Sequence, residues 1–161
     1  MSRVVAFGCS HTYGMGLEDC YVEDDLLKPA IAPSKFAWPA LLADKLGYEC
    51  SNQSIPGASN LEILYNILDY KFQEGDKVVV GWTTPLRDIV VYPDNKVRIA
   101  SFLVDGKFNN NQLDEIVPNL FPGTEPQNVK DINTKYFQIH SDADMARRSW
   151  LHQYTAGSYL K

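Results

Sequence analysis

The sequence predicts an α/β fold in which three parallel strands are covered by helices on both sides. Strand-like runs at 3–8, 49–54 and 77–84 alternate with two segments of helical periodicity, which gives the order β-α-β-α-β. Parallel neighbours need crossover connections, and these are right-handed in nearly all proteins. We therefore expect a three-layer α/β/α arrangement of the flavodoxin-like type, with a strand order that begins 2-1-3.

The first strand and the first helix are marked by their ends. Arg3 to Gly8 (RVVAFG) is apolar after its first residue and ends in glycine, which is typical of a strand buried on both faces. A loop is expected from Cys9 to Lys35. The first helix is predicted from Ser34 to Leu46, because Ser34 suits an N-cap and Gly47 suits the position after the helix. Apolar residues recur along it at helical spacing: Trp38, Leu41, Leu42 and Leu46.

The next three elements complete the alternation. Glu49 to Ser54 is expected to form the second strand, after which Pro56-Gly57 turns the chain. Ser59 and Glu62 form a capping-box pattern at the start of the second helix. The third strand is predicted from Lys77 to Thr84 (KVVVGWTT). One face of the second helix carries four apolar residues: Leu61, Leu64, Leu68 and Phe72.

The alternation stops after the third strand. Residues 88–104 are expected to form a β-hairpin, and 109–138 are rich in Asn, Pro and Gly, so 88–138 is interpreted as an insertion. Ser141 and Asp144 are expected to cap a last helix that runs to the end of the sequence. One face of it carries Ala143, Ala146, Trp150 and Tyr154.

The composition indicates one globular domain, 1–161, because 45% of the 161 residues are hydrophobic and 22% are charged. A net charge of −5 gives no positive field, so neither nucleic acid nor a membrane surface is expected as a partner. The three cysteines have no metal-type spacing, and the sequence has neither a signal pattern nor a long apolar run. We expect a cytoplasmic protein, or one carried on a particle assembled in cytoplasm.

Three segments are expected to meet at the carboxyl ends of the strands, where open α/β sheets bind ligands. They are 8–12 (GCSHT), 52–57 (NQSIPG) and 81–84 (GWTT). A serine at such a turn, Ser10, can expose its hydroxyl at the edge of the sheet. A glycine in the next loop, Gly57, can bring its backbone N–H close to a developing oxyanion. Their joint position predicts a hydrolytic site.

Two of these segments resemble a known family. The run Phe-Gly-Cys-Ser-His-Thr-Tyr-Gly resembles the first block of SGNH (GDSL-like) hydrolases, whose serine is the nucleophile; that role falls on Ser10. The run 37–42 (AWPALL) is similar to the helix that follows this block in bacterial lysophospholipase/thioesterase members. The run 52–57 is similar to the second block, whose glycine N–H contributes to the oxyanion hole, a role that falls on Gly57. The resemblance covers residues 3 to about 84. The sequence of this region also resembles SGNH-like proteins of tailed bacteriophages, so a virion-associated location is a further expectation.

The sequence departs from the family pattern at three points. Cys9 replaces the aspartate beside the nucleophile, and Thr83 stands where the family has an asparagine that donates to the oxyanion. A threonine hydroxyl donates only one hydrogen bond, and loss of an oxyanion donor costs about 100- to 1,000-fold in turnover. The family's base is the histidine of an Asp-x-x-His motif near the end of the domain. No histidine here has that aspartate, whether His11, His140 or His152.

The resemblance implies hydrolysis of an acyl or acetyl ester, including one of a carbohydrate, through an acyl-enzyme. Ser10 would attack, and the backbone N–H groups of Ser10 and Gly57 with the Thr83 hydroxyl would hold the oxyanion. Substrate contacts are expected from Asn52, His11, Tyr13 and Trp82. No metal or organic cofactor is implied, and the substrate is expected to be a small molecule or a glycan ester.

Other interpretations of the same residues remain open. The missing base also fits a catalytically silent SGNH-like module that binds glycan or serves as a phage structural part. Cys9 invites interpretation as a cysteine nucleophile, although small buried thiols are commonly inert. The acidic run 23–25 is typical of a solvated surface. We also expect the domain to be incomplete at its C-terminus, with a further strand and the Asp-x-x-His block beyond Lys161.

Overall fold

The computed structural model describes residues 2–20, 32–85, 87 and 141–161. The predicted hairpin (88–104), the predicted insertion (109–138) and the acidic run 23–25 lie outside these ranges. The described elements, in chain order, are β1 (Arg3–Gly8), α1 (Ser10–Tyr13), a 3-10 turn (Glu18–Cys20), α2 (Trp38–Leu46), β2 (Glu49–Asn52), α3 (Asn60–Asp69), β3 (Lys77–Gly81) and α4 (Asp142–Tyr159).

The sheet has the predicted topology. Its three strands are all parallel, in the order β2-β1-β3, so the α/β class and the 2-1-3 order are confirmed. β1 is the central strand, and its residues Val4 to Phe7 are completely buried. The register pairs Val5 with Ser51 on one side and with Val78 on the other. The apolar run at the start of the sequence therefore forms the centre of the core.

Helices cover both faces of the sheet. On one face, Val5 and Phe7 pack against Ile63 and Ile67 of α3, and α4 adds Ala156 to the same core. On the other face, the Trp38 ring of α2 lies over the end of β3. Successive residues of a strand point to opposite faces, which explains why alternate residues of β1 contact different helices. The result is the expected three-layer arrangement.

The predicted helix caps are confirmed where they depend on neighbouring residues. The Ser59 hydroxyl accepts a hydrogen bond from the backbone N–H of Glu62 at 3.2 Å and begins α3. Ser141 accepts in the same way from Asp144 at 3.2 Å and begins α4. Gly47 follows α2 in the left-handed conformation, with φ 67°, as expected of a glycine at that position.

Some predicted boundaries are wrong. α2 begins at Trp38, with Ala37 as its N-cap and a proline in its first turn, instead of at Ser34. Ser34 instead donates to Asp19 and accepts from the backbone of Phe36 at 3.0 Å, so it closes a turn in the preceding loop. That loop also contains α1 and the 3-10 turn.

β2, β3 and α3 are shorter than predicted, whereas β1 has the predicted bounds. β2 ends at Asn52 and β3 at Gly81, because the residues that follow turn into loops. α3 ends at Asp69, so Phe72 lies outside the helix. Phe72 still packs edge-on against Phe7 of β1, with ring centroids 5.9 Å apart.

Two helices turn their apolar residues outward. On α2 the buried residues are Pro39 and Ala43, and on α4 they are Met145, Ser149 and Ala156. Four residues of the apolar pattern are about half exposed or more: Leu41, Leu46, Trp150 and Tyr154. Trp38 is 40% exposed, and part of its ring lies over Gly81 at the end of β3. None of the described helices is both long enough and apolar enough to cross a membrane.

The edge of the sheet that contains the amino-terminal ends of the strands is stabilised by an ion pair. Arg3 donates to both carboxylate oxygens of Asp76, at 2.9 and 2.7 Å, and Asp76 also accepts from the backbone of Gln73. The hydrogen bonds from Arg3 hold the pKa of Asp76 below its usual range. This bidentate ion pair joins the start of β1 to the turn before β3.

Candidate active site

Ser10 begins a single helical turn directly after β1. The backbone N–H groups of Thr12 and Tyr13 both donate to the Cys9 carbonyl, at 3.1 and 2.9 Å. Gly14, with φ 86°, ends the turn and donates to the Ser10 carbonyl at 3.0 Å. Ser10 is half-buried at the carboxyl edge of the sheet, where the sequence predicts the nucleophile.

The turn is locked onto the sheet by Thr12. Its side chain lies over Gly8 and Gly81, which are paired in register at the ends of β1 and β3. A Cβ added to Gly8 would lie 2.5 Å from Thr12 Cβ and 3.0 Å from the Gly81 carbonyl oxygen, and one added to Gly81 would overlap the Thr12 hydroxyl. The two glycines are thus explained by close packing, which fixes the height of α1 above the sheet.

The second segment runs alongside the first. The backbone N–H groups of Gln53 and Ile55 donate to the carbonyls of Ala6 and Gly8, at 2.7 and 3.0 Å. The side-chain amide of Asn52 bridges the two segments: it donates to the Thr12 carbonyl at 2.7 Å and accepts from the Ser54 N–H at 3.1 Å. Both ends of this amide hold the loops together, and a substrate contact by Asn52 stays a prediction.

Gly57 occupies the third position of a tight turn. The N–H of Ala58 donates to the Ile55 carbonyl at 3.0 Å, and Gly57 has φ 83° after Pro56. Proline followed by a glycine of positive φ is the pattern of a type II turn. A Cβ at Gly57 would meet nothing within 4 Å, so the glycine is explained by its backbone conformation and not by crowding. The backbone N–H is predicted to serve an oxyanion, and no described contact tests that role.

Thr83 is held at the end of β3 by Asn60, the first residue of α3. The Asn60 carboxamide accepts from the Thr83 N–H at 2.8 Å and donates to the Thr83 carbonyl at 3.0 Å. Its N–H group also donates to the Ser149 hydroxyl of α4 at 2.6 Å. Asn60 is 1% exposed, so it satisfies both backbone groups of Thr83 inside the core.

The Cys9 thiol connects the first segment with the third. Its Sγ lies 3.9 Å from Nδ1 of His11. Burial acts to raise the pKa of this thiol, but hydrogen bonding from the side chain and backbone of His11 and from Thr83 and the charge of Arg87 outweigh it. The pKa falls from an ordinary 9.0 to about 7. Arg87 also donates to the Ala58 carbonyl at 3.3 Å, beside the Gly57 turn.

The Ser10 hydroxyl has no hydrogen bond to any described residue. His11 directs Nδ1 towards Cys9 Sγ and is otherwise exposed. His152 is half-buried on α4, and His140 lies outside the described residues. The described histidines thus leave Ser10 without the base that the family pattern assigns.

The two predicted aromatic contacts lie against protein. Tyr13 is 8% exposed, and burial raises the pKa of its hydroxyl. Trp82 is half-buried and packs against the core on the α3 side of the sheet. Both positions are typical of packing residues, and contact with a substrate stays a prediction for each.

Three residues of this site are not found by the sequence analysis. Asn60 was hidden at the first position of a helix, Thr12 in a loop, and Arg87 beyond the third strand. The pairing of Gly8 with Gly81 was a usable signal for Thr12, since two glycines ending neighbouring strands indicate a close approach from above. Asn60 and Arg87 carried no local signal, because their partners are backbone groups distant in sequence.

The first segment is joined to the second through Asn52 and to the third through the Cys9 thiol, and Ser10 lies half-buried at the same edge of the sheet. Within the described ranges no three acidic, histidine or cysteine side chains are grouped to hold a metal ion. Comparison of the chain with family models, with curated proteins and with solved structures found no match.

Proposed function

We propose that the chain is an ester hydrolase of the SGNH type, with Ser10 as its nucleophile. The observation that supports this most is the hydrogen bonding that joins three loops at the carboxyl edge of the sheet, where Ser10 lies half-buried. Asn52 joins the second loop to the first, and Cys9 joins the first to Thr83. The carboxyl edge of a parallel sheet is also where such folds bind their ligands.

The proposed reaction passes through an acyl-enzyme. The Ser10 oxygen attacks the acyl carbon and loses its proton to a base, and the carbonyl oxygen becomes an oxyanion. The N–H groups of Ser10 and Gly57 would donate to that oxyanion, and the Thr83 hydroxyl would turn its single hydrogen from the Cys9 sulfur towards it. The C–O bond to the alcohol then breaks, the alcohol takes a proton from the base, and water releases the acid in the same way.

The substrate class we propose is an acyl or acetyl ester, including an acetylated carbohydrate. The support for a small acyl group is the packing around the crevice, since Tyr13 and Trp82 lie largely against protein. The Thr83 hydroxyl supplies one donor where an amide would supply two, so we expect slow turnover. A cytoplasmic or virion-associated location belongs to the same proposal.

A second function is favoured by one observation. The Ser10 hydroxyl makes no hydrogen bond to a described histidine, and a serine without a base is a poor nucleophile at neutral pH. This supports a catalytically silent module that binds glycan or a structural partner. The exposed, stacked rings of Trp150 and Tyr154, 5.4 Å apart, fit a contact surface of that kind.

Hydrolysis of 4-nitrophenyl acetate, together with covalent labelling by a fluorophosphonate, tests the first function. We expect metal-independent release of nitrophenol over many turnovers and a label on Ser10, and we expect Ser10→Ala to lose both the label and all turnover beyond one equivalent. Ser158→Ala, an exposed serine at the end of α4, is the matched control and should behave as the wild type. Full turnover and labelling in Ser10→Ala, or loss of turnover with a chelator, would contradict the proposal. Neither turnover nor label in the wild type would support the binding module.

A further inference from the structure

The cluster around Cys9 is more than a buried thiol. A structural cysteine needs only apolar neighbours, whereas Cys9 has an imidazole nitrogen at 3.9 Å, the Thr83 hydroxyl beside it and the Arg87 charge nearby. His11 and Arg87 are the charged or titratable groups that face the sulfur. They come from separate segments, the turn after β1 and the loop after β3. Their convergence favours a negatively charged sulfur.

The lowered pKa of Cys9 increases the fraction of thiolate at neutral pH. With a pKa of about 7, half of the Cys9 sulfur is thiolate at pH 7, against about 1% for an ordinary thiol of pKa 9.0. This is about 50-fold more thiolate. The lower basicity reduces the nucleophilicity of that thiolate about eightfold, at a Brønsted slope near 0.45. A net advantage of roughly sixfold remains over an ordinary, equally accessible thiol.

Cys50 provides a comparison in the same chain. It lies exposed on β2, and partial desolvation raises the pKa of its thiol. Cys9 is more deeply buried than Cys50, yet its pKa moves in the opposite direction. Burial alone therefore does not explain the lowered pKa of Cys9, whereas its hydrogen-bonding partners and the charge of Arg87 do.

We propose that Cys9 and His11 form a thiol nucleophile that takes an acyl group from an activated ester in the same crevice as Ser10. The proposal rests on the proposed function, because it assumes that this crevice binds an acyl ester. The sulfur attacks the acyl carbon, a C–S bond forms and the C–O bond to the alcohol breaks. The thiol proton passes to Nδ1 of His11 during the attack and from there to the leaving alkoxide, so the products are a thioester at Cys9, neutral His11 and the free alcohol.

The burial of Cys9 sets the size of this acyl group. The residue is 4% exposed, whereas His11 beside it is exposed, so only a small electrophile reaches the sulfur without rearrangement. Acetyl esters are therefore the substrates, and long acyl chains are excluded. Ser10, which is half-buried, is the more accessible of the two nucleophiles.

Acid-quenched incubation with 4-nitrophenyl acetate, followed by peptide mapping, locates the acyl group. The expected result is acetyl-Cys9, released by neutral hydroxylamine, in the wild type and in Ser10→Ala. It should be absent in both Cys9→Ser and Cys9→Ala and diminished in His11→Gln. Acetyl on Ser10 alone overturns the thiol proposal and leaves the hydrolase standing, whereas acetyl on neither residue overturns both. Acetylation of Cys50 to the same extent as Cys9 also overturns it.

Alkylation by iodoacetamide, measured at each cysteine as a function of pH, tests the pairing of Cys9 with His11 without any ester. The midpoint of Cys9 alkylation is expected near pH 7 and does not depend on how accessible the sulfur is. In His11→Gln the midpoint should rise towards 9, while the Cys50 midpoint stays unchanged in the same samples. Thermal unfolding of each variant verifies that it is folded. An unchanged Cys9 midpoint in folded His11→Gln, or a wild-type midpoint above 8.5, overturns the proposal.

Discussion

At the carboxyl edge of the sheet several buried side chains are polar, whereas on the outer faces of α2 and α4 several exposed side chains are large and apolar. Thr12 and Asn60 are 2% and 1% exposed, while Trp150 and Tyr154 are 63% and 62% exposed. The two regions thus invert the usual relation between residue type and burial. The difference shows that burial at the edge follows hydrogen bonding and close packing, not hydrophobicity.

The polar edge is stable because its groups satisfy one another. Asn60 serves both backbone groups of Thr83, and Asn52 serves Thr12 and Ser54. Leaving such a group unpaired inside the protein costs about 1–3 kcal/mol. The exposed apolar faces make no comparable contribution, so substitutions in the two regions should differ sharply.

The largest effect is expected from Asn60→Ala. The change removes the partner of the Thr83 N–H, the Thr83 carbonyl and the Ser149 hydroxyl at once, so we expect a loss of roughly 2–3 kcal/mol in the free energy of unfolding. Urea denaturation measures it. The matched control is Asn66→Ala, which loses one 2.6 Å bond to the Gln53 carbonyl and should cost about 1 kcal/mol. Equal losses in the two variants would show that Asn60 has no special place in the edge.

A somewhat smaller effect is expected from Gly81→Ala. The new methyl group would overlap the Thr12 side chain and lie 3.5 Å from the Trp38 ring, and such overpacking costs about 1–3 kcal/mol. Gly157→Ala on α4 is the control, since a methyl there meets nothing within 4 Å and should stabilise the helix by about 0.5–1 kcal/mol. Thermal unfolding of both variants measures the difference. A neutral Gly81→Ala would mean that Thr12 does not lie over the strand ends.

The smallest effect is expected on the outer face of α4. Replacing both Trp150 and Tyr154 with serine removes two exposed, stacked rings and should change the free energy of unfolding by no more than about 0.5 kcal/mol per site. The contrast with Asn60→Ala in the same denaturation assay tests the comparison directly. A loss above 2 kcal/mol would show that this face is packed in solution.

Features set by neighbouring residues could be predicted from the sequence. Ser59 and Ser141 cap their helices, Gly47 ends one, and the apolar run 3–8 forms the central strand. Each of these depends on backbone groups within a few residues. The alternation of elements indicated parallel strands joined by right-handed crossovers, and the 2-1-3 order came from the expected flavodoxin-like type.

The helix faces could not be predicted in this way. Periodicity shows which residues of α2 and α4 share a face, but not which face meets the sheet. On α4 that choice is made by the bond between Ser149 and Asn60 and by the packing of Ala156, both of which join residues far apart in sequence. The expectation of a domain that continues past Lys161 stays a prediction.

The residues of the site could be predicted only where they depend on the order of strands and loops along the sequence. Ser10, Gly57 and Thr83 were predicted as site residues because each follows a strand and the ends of parallel strands share an edge, and their roles stay predictions. The pairing of Cys9 with His11 was not predicted, because His11 was expected to contact the substrate. In the structure the turn of α1 brings them to 3.9 Å instead.

The amide of Asn60 makes the position of Thr83 a property of α4 as well as of β3. Ser149 is held by the same N–H group that holds the Thr83 carbonyl, so a displacement of α4 is passed to Thr83 through two hydrogen bonds. Trp150 follows Ser149 directly on that helix. A force on the outer surface of α4 would therefore displace Thr83, whose hydroxyl lies beside Cys9.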